Sequence, residues 1–246
     1  MSWRSRWGLW RSRAIYYWKP GSARAMRRFY GAFIGPGDLC FDIGSHLGNR
    51  IAVWRKLGAR VVAAEPSPDC QRLLQRWYGR DAGVVLLSCA IGAETGSAWL
   101  HVNETSPTIS TLRETDWQER MARLSSRQES WNRALEVPVK TLDQLIAEHG
   151  IPQFCKLDVE GFEEQVVAGL SVPIPHLSFE FINPGLEGVH GILDKLERLG
   201  PYRYRYALRE RQRFNTGGDL SRETLTEHLH RLGQRVISGD IYARLP

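Results

Sequence analysis

From residue 38 onward, short apolar runs alternate with amphipathic stretches. Leu39–Ile43, Arg60–Ala64 and Val84–Ser88 have the length and texture of strands buried on both faces. Between them, Arg50–Leu57 and Pro68–Tyr78 carry apolar residues at helical spacing. This β-α-β-α-β order predicts an α/β fold, a parallel sheet covered by helices on both faces. Ser97–Val102 and Glu136–Lys140 predict further strands, and Leu142–Glu148 a helix. The alternation resumes with Gln153–Leu157 (strand), Glu163–Leu170 (helix), His176–Ile182 (strand) and Val189–Leu199 (helix). Tyr202–Leu208 and Arg235–Arg244 close the chain as strand-like segments. Two regions break the pattern. Residues 1–37 read as a separate arm, and the polar stretch Asn103–Arg133 as a lid-like insertion in a domain spanning 38–246.

Composition changes this picture little, and charge changes it more. The 246 residues are 42% apolar and 24% charged, enough for one large α/β domain with a full core. No apolar run reaches membrane-spanning length and no signal peptide is visible, so a cytoplasmic protein is expected. Cys40, Cys70, Cys89 and Cys155 are scattered without metal-type spacing and read as reduced, buried thiols. Net charge is +6, but residues 1–37 carry eight basic side chains and no acid. The remainder has 25 basic against 27 acidic residues, so no basic groove crosses the domain and no nucleic-acid partner is expected. In the arm, Trp3, Trp7, Trp10, Ala14, Tyr17 and Trp18 share one helical face. Arg4 and Arg11 border one side of it, Arg6 and Arg13 the other. Two readings stay open: peripheral membrane contact through residues 1–18, or packing on the chain's own domain or a second subunit. The oligomeric state is equally open.

The chemistry centres on Asp42-Ile43-Gly44-Ser45-His46-Leu47-Gly48-Asn49. A strand passes through an acid into a loop with two glycines and then a helix. The glycine spacing is longer than in the dinucleotide pattern GxGxxG. An acid beside the loop disfavours a pyrophosphate and favours a ligand bearing an ammonium and a sulfonium. About twenty residues on, the next strand ends in Glu65, placed to accept both hydroxyls of a ribose. Pro66, Ser67 and Pro68 stiffen the turn that follows, and the small Ala90, after Cys89, lets an adenine lie flat. These residues point to S-adenosyl-L-methionine rather than a nicotinamide cofactor. Taken alone, the glycine loop would equally well be a plain strand-helix corner.

FDIGSHLGN, EPSP, CAIG, and VPVKTLDQLI followed by KLDVEGFEEQVVAGL together resemble the FkbM-type family of S-adenosylmethionine-dependent methyltransferases. The resemblance covers roughly residues 38–182. It implies a class I methyltransferase (Rossmann-like) fold with a seven-stranded, mostly parallel sheet. It also implies methyl transfer, usually to a hydroxyl or carboxyl oxygen. His46 departs from the family, which more often has a small or amide residue there.

Asp158 and Glu160 follow one strand at its carboxyl end, and Glu180 lies in the next. Three carboxylates on neighbouring strands are expected to converge, raising the pKa of one toward a useful base. Asp158 also stands within reach of the cofactor. The alternative for Asp158 and Glu160 is capping of the helix that starts near Gly161. Convergence also suits a divalent cation, but no metal is expected. His46 is a second candidate base, with loop shaping as its simpler role. Lys156 interrupts an apolar strand and must find a carboxylate partner. Asn103, Thr105, Ser110 and Thr111 offer polar contacts for an acceptor. The leading expectation is an O-methyltransferase for a small-molecule hydroxyl or carboxyl: a sugar, glycolipid or secondary metabolite. The alternative is a non-catalytic membrane-docking or partner-binding module that keeps the cofactor fold.

Overall fold

The computed structural model describes residues 22–103, 111–112, 133–183, 186–209, 211–233, 235 and 237–246. The Trp/Arg face of residues 1–18 lies outside them, as does most of the expected lid-like insertion, Thr105 and Ser110 included.

Seven strands form the main sheet: β1 (Leu39–Ile43), β2 (Arg60–Ala64), β3 (Val84–Leu87), β7 (Phe154–Leu157), β8 (His176–Asn183), β9 (Arg203–Leu208) and β10 (Ile237–Arg244). Their order is β3-β2-β1-β7-β8-β10-β9. Parallel pairing links β3 through β8, and β10 runs antiparallel to both of its neighbours. Three more strands, β4 (Ala90–Ile91), β5 (Gly96–Val102) and β6 (Arg133–Lys140), form a separate small sheet.

Strand alternation divides the interior into two cores. Leu39, Phe41 and Ile43 face one side of the main sheet. They pack with α4 (Leu142–His149), α5 (Glu163–Ala168), α6 (Glu187–Leu199) and α7 (Arg222–His230), through residues such as Leu145, Val166, Leu193 and Leu225. Cys40 faces the other side, under α1 (Ser22–Tyr30), α2 (Asn49–Lys56) and α3 (Pro68–Tyr78), with Tyr30, Trp54 and Leu74. Helices therefore cover both faces, as the alternation predicts. Each strand of the central group is buried on both sides, which is why its sequence reads as a continuous apolar run.

Residues 22–37 belong to this second core. The Tyr30 ring meets Trp54 and Phe154 edge-on at 5.4 and 5.5 Å, and Ile34 is buried. The boundary expected at residue 37 thus falls inside packed structure. The sequence signal for α7 is weak because Arg222–His230 offers only Leu225 and Leu229 to the core. All four cysteines are buried and free.

Candidate active site

At the carboxyl edge of the sheet the loop after β1 touches the turn after β7. Gly44 has φ 78°, and a Cβ there would lie 1.9 Å from the Asp158 carbonyl oxygen. The close approach of the two turns is what glycine permits at this position. Gly48 (φ 73°) starts α2, and a Cβ there would strike Tyr78 and Leu74 of α3. Its carbonyl accepts a hydrogen bond from the Tyr78 hydroxyl, and the Asn49 side chain accepts one from the Arg50 backbone N–H. Gly48 and Asn49 shape the loop from behind.

A cleft with about 560 Å³ of empty space, its solvent mouth included, opens in front of these turns. Its wall contains Ile43, Gly44, His46, Glu65, Pro66, Cys89 and Ala90, which the sequence had singled out or adjoined. Asp158 and Glu160 line it too, and Leu100, Thr111 and Leu112 close it from the small-sheet side.

Glu65 is buried, with one carboxylate oxygen accepting the His46 backbone N–H and the other that of Ser67, each at 2.8 Å. Two backbone donors fix the carboxylate in place, and each oxygen keeps a lone pair for a ligand hydroxyl. Burial raises its pKa to about 7 against these hydrogen bonds. Ser67 acts here through its backbone and does not line the cleft. Burial and the nearby Arg50 charge lower the His46 pKa to about 4, so the ring is neutral near pH 7. Its backbone hydrogen bond to Glu65 matches the loop-shaping role.

Asp42 is placed differently from the sequence picture. Alternation along β1 turns it to the α1/α2 side with Cys40, and it does not line the cleft. Its carboxylate is fully buried, and neither oxygen accepts a hydrogen bond among the described residues. Arg50 Nε stands 3.8 Å away. Burial raises the Asp42 pKa, opposed by Arg50 and Lys156. Ser45 is also buried behind the loop, its backbone N–H bonded to the Ala64 carbonyl.

Asp158, Glu160 and Glu180 do converge, with carboxylate oxygens within 4.8 Å of one another. Arg50 reaches over from α2 to form an ion pair with Asp158. Glu160 has φ 54°, a left-handed conformation uncommon outside glycine. Its carbonyl accepts a hydrogen bond from the buried Thr111 hydroxyl at 2.8 Å, which ties the small-sheet side to this turn. Helix capping is not the role of either acid: the N-cap of α5 is Phe162, with no side-chain cap bond. Glu163 Oε1 accepts the Val159 N–H instead.

Crowding sets the protonation of this cluster. Burial and then the charges of Glu180 and Glu163 push the Glu160 pKa well up. Burial raises Glu180 to about 8 against the Lys156 charge. Lys156 finds its expected partner in Asp240 of β10, at 2.6 Å, and also donates to the Leu157 carbonyl. The cluster thus keeps two cations of its own beside it, Arg50 and Lys156. Neither Arg50 nor Asp240 stood out in the sequence. An arginine in a helix's first turn carries no mark that it will bridge two strand ends.

The profile of the methyltransferase FkbM domain family matches residues 42–203. No curated protein matches the chain. Among solved structures, it is similar to precorrin-6y C5,15-methyltransferase from Geobacter metallireducens GS-15, at 9% identity and TM-score 0.45, covering 91% of this chain and 88% of that one. A putative sarcosine dimethylglycine methyltransferase from Galdieria sulphuraria gives 9% identity and TM-score 0.46, covering 90% and 85%. M. jannaschii TYW2, solved in complex with AdoMet, gives 11% identity and TM-score 0.41, covering 93% and 78%. The family match spans more than half of the sequence and both halves of the cleft: this chain belongs to the FkbM methyltransferase family, whose members use S-adenosylmethionine.

Proposed function

We propose that this protein is an O-methyltransferase that moves the methyl group of S-adenosylmethionine to a hydroxyl of a small molecule. The observation that carries this reading is the cluster of Asp158, Glu160 and Glu180, of which the first two line the cleft that holds Glu65. The cofactor supplies an electrophilic methyl on a positively charged sulfur. Glu65 accepts its ribose hydroxyls on the two lone pairs that the loop leaves open. Ala90 and Ile91 make a small, apolar wall for an adenine. Asp42 acts by charge from behind the loop, at a distance and through Arg50, rather than by direct contact. Gly44, Ser45, His46, Gly48 and Asn49 hold the backbone that positions Glu65, and Pro66 and Ser67 hold it from the other side.

On the acceptor side, Asp158 orients the hydroxyl while its partner Arg50 fixes the carboxylate. Glu160, in its ionised form, takes the proton as the oxygen–carbon bond forms and the carbon–sulfur bond breaks, and passes it within the crowded pair to Glu180. Three carboxylates repel an anionic acceptor, which favours a hydroxyl over a carboxyl group. An uncharged polyol such as a sugar, or a glycolipid head, suits this wall. Arg50 pairs with Asp158 and Lys156 with Asp240, so two cations stand beside the cluster without neutralising it.

Calorimetry with S-adenosylmethionine and with NAD is the first test. Binding of the former alone supports the cofactor half, and binding of neither overturns it. A tritiated-methyl screen over sugars, glycolipids and carboxylic acids tests the acceptor half. Methylation of carboxylic acids in preference to hydroxyls overturns it, and cofactor binding with no turnover favours the non-catalytic module. Peripheral membrane contact through residues 1–18 remains part of the reading. Deleting them is expected to weaken binding to anionic vesicles and spare cofactor affinity. No helix among the described residues is long and apolar enough to cross a membrane.

A further inference from the structure

Two segments far apart in sequence come together beside the main sheet. Helix α1 turns Met26, Phe29 and Tyr30 into the second core and leaves Arg24, Arg27 and Arg28 exposed. The loop after β9 does the same with alternating residues: Phe214 packs inward while Arg209, Arg211 and Arg213 are exposed. The Phe214 ring lies 5.0 Å from Phe29 and 5.2 Å from Tyr242, so the loop and the helix share one aromatic bed. None of the six arginines has an acidic partner among the described residues. Between Arg209 and Phe214 Glu210 is the one acid, and residues 1–37 hold no acid at all.

Strand β9 is antiparallel to β10, which is antiparallel to β8, so β9 runs parallel to β7 and β8. Its carboxyl end, where Arg209 begins the loop, is therefore on the edge that carries Asp158 and Glu160. We propose that Arg24, Arg27 and Arg28 with Arg209, Arg211 and Arg213 form a docking surface for an anionic phospholipid bilayer. The observation is separate from the sequence pattern of residues 1–18 and independent of the cofactor reading. Charge complementarity argues for the occupant: exposed guanidinium groups without internal partners match a layer of phosphate headgroups. A nucleic acid fits less well. The exposed large apolar residues among those described are Val85, Trp99 and Ile151, none on α1 or this loop, so no ring stands ready to stack a base.

The test is co-sedimentation of the full chain with phosphatidylcholine vesicles, with and without phosphatidylglycerol, at low and high salt. Two triple variants keep residues 1–21 intact: Arg24→Gln/Arg27→Gln/Arg28→Gln and Arg209→Gln/Arg211→Gln/Arg213→Gln. Wild type is expected on the anionic vesicles only, with release at high salt. Each triple is expected to lower the partition coefficient by roughly 100-fold at low salt, given the usual contribution of a basic residue near such a surface. S-adenosylmethionine binding, measured by calorimetry, reports that the variants are folded. Wild-type binding by either triple, equal binding to neutral vesicles, or binding to a single-stranded RNA oligomer in preference to the vesicles overturns the proposal. Loss of vesicle binding with cofactor binding intact supports it, and where a variant binds no cofactor a wild-type thermal melt takes its place as the report of folding.

Discussion

One cleft carries two kinds of acid. Glu65 stands alone, each oxygen met by one backbone N–H from the turns around it. Asp158, Glu160 and Glu180 crowd within 4.8 Å of one another, and side chains rather than backbone compensate them. The difference teaches what each can do. A carboxylate fixed by backbone donors has a set geometry and spare lone pairs, which suits holding a diol. A crowded group cannot ionise fully near neutral pH, which suits passing a proton. On the proposed reading, binding belongs to the tip of β2 and proton transfer to β7 and β8, with β1 between them.

The sharpest way to break this contrast is to neutralise each side. Glu160→Gln and Asp158→Asn are expected to lower turnover by roughly 10²–10⁴-fold, the usual share of a positioned base. Cofactor affinity should stay within about threefold of wild type, because backbone–carboxylate contacts at Glu65 are untouched. Calorimetry beside methyl-transfer assays separates the two effects, and wild-type turnover in Asp158→Asn removes it from the catalytic set. Glu65→Gln should do the reverse. It loses the charge behind two hydroxyl bonds, each worth about 1.5–3 kcal/mol, so affinity should fall by at least roughly 100-fold. If the methylation rate at saturating cofactor falls as far as the affinity does, the division of labour is wrong.

How much of this contrast was legible beforehand follows from the distance over which each part is built. Glu65 and its loop come from one β-α-β unit, so spacing alone placed them. Asp158 and Glu160 were readable because they end a strand, and Glu180 because it lies in the next. From the sequence, Asp42 reads as an acid facing the ligand because it sits in the strand just before the loop. The period-2 alternation that puts Leu39, Phe41 and Ile43 in one core was there to turn it away. Arg50 and Asp240 were invisible because their partners lie 108 and 84 residues away in sequence. Thr111 looked like an acceptor contact, yet its hydroxyl donates to the Glu160 carbonyl. No local pattern announces that bond.

A subtler separation is by pH. In the free protein Glu65 loses its proton at about pH 7. Hydrogen bonds from two ribose hydroxyls favour the charged form. Below that pH the proton must leave before the diol is held, so affinity should weaken by up to about tenfold per pH unit. Above it the dependence on this group should flatten. Kd values between pH 5.5 and pH 8.5 check this, and Glu65→Gln should remove the slope. A slope that survives the substitution assigns it to another group.

The smallest expected effect is on stability, and it sharpens the contrast without any ligand. Glu65 and Glu180 have native pKa values of about 7 and about 8, above the ordinary 4.5. Between those limits the native state holds protons that the unfolded chain has lost, so stability falls as pH rises toward 8. His46 works the other way. Its native pKa of about 4 lies below the ordinary 6.5, so its contribution rises with pH and is complete near pH 6.5. The window from pH 6.5 to pH 8.5 is therefore set mainly by the carboxylates. A melting temperature lower by roughly 5 °C at its upper end is expected from shifts of this size. Most of the drop belongs to the crowded acids, because Glu65 gives up its proton at about pH 7, early in the window, while Glu180 holds its own to about pH 8 and Glu160 is also pushed well up. Replacing the crowded pair together, Glu160→Gln with Glu180→Gln, should flatten the curve, whereas Glu65→Gln should leave most of its slope. Equal flattening by both would mean that crowding does not distinguish the two sites.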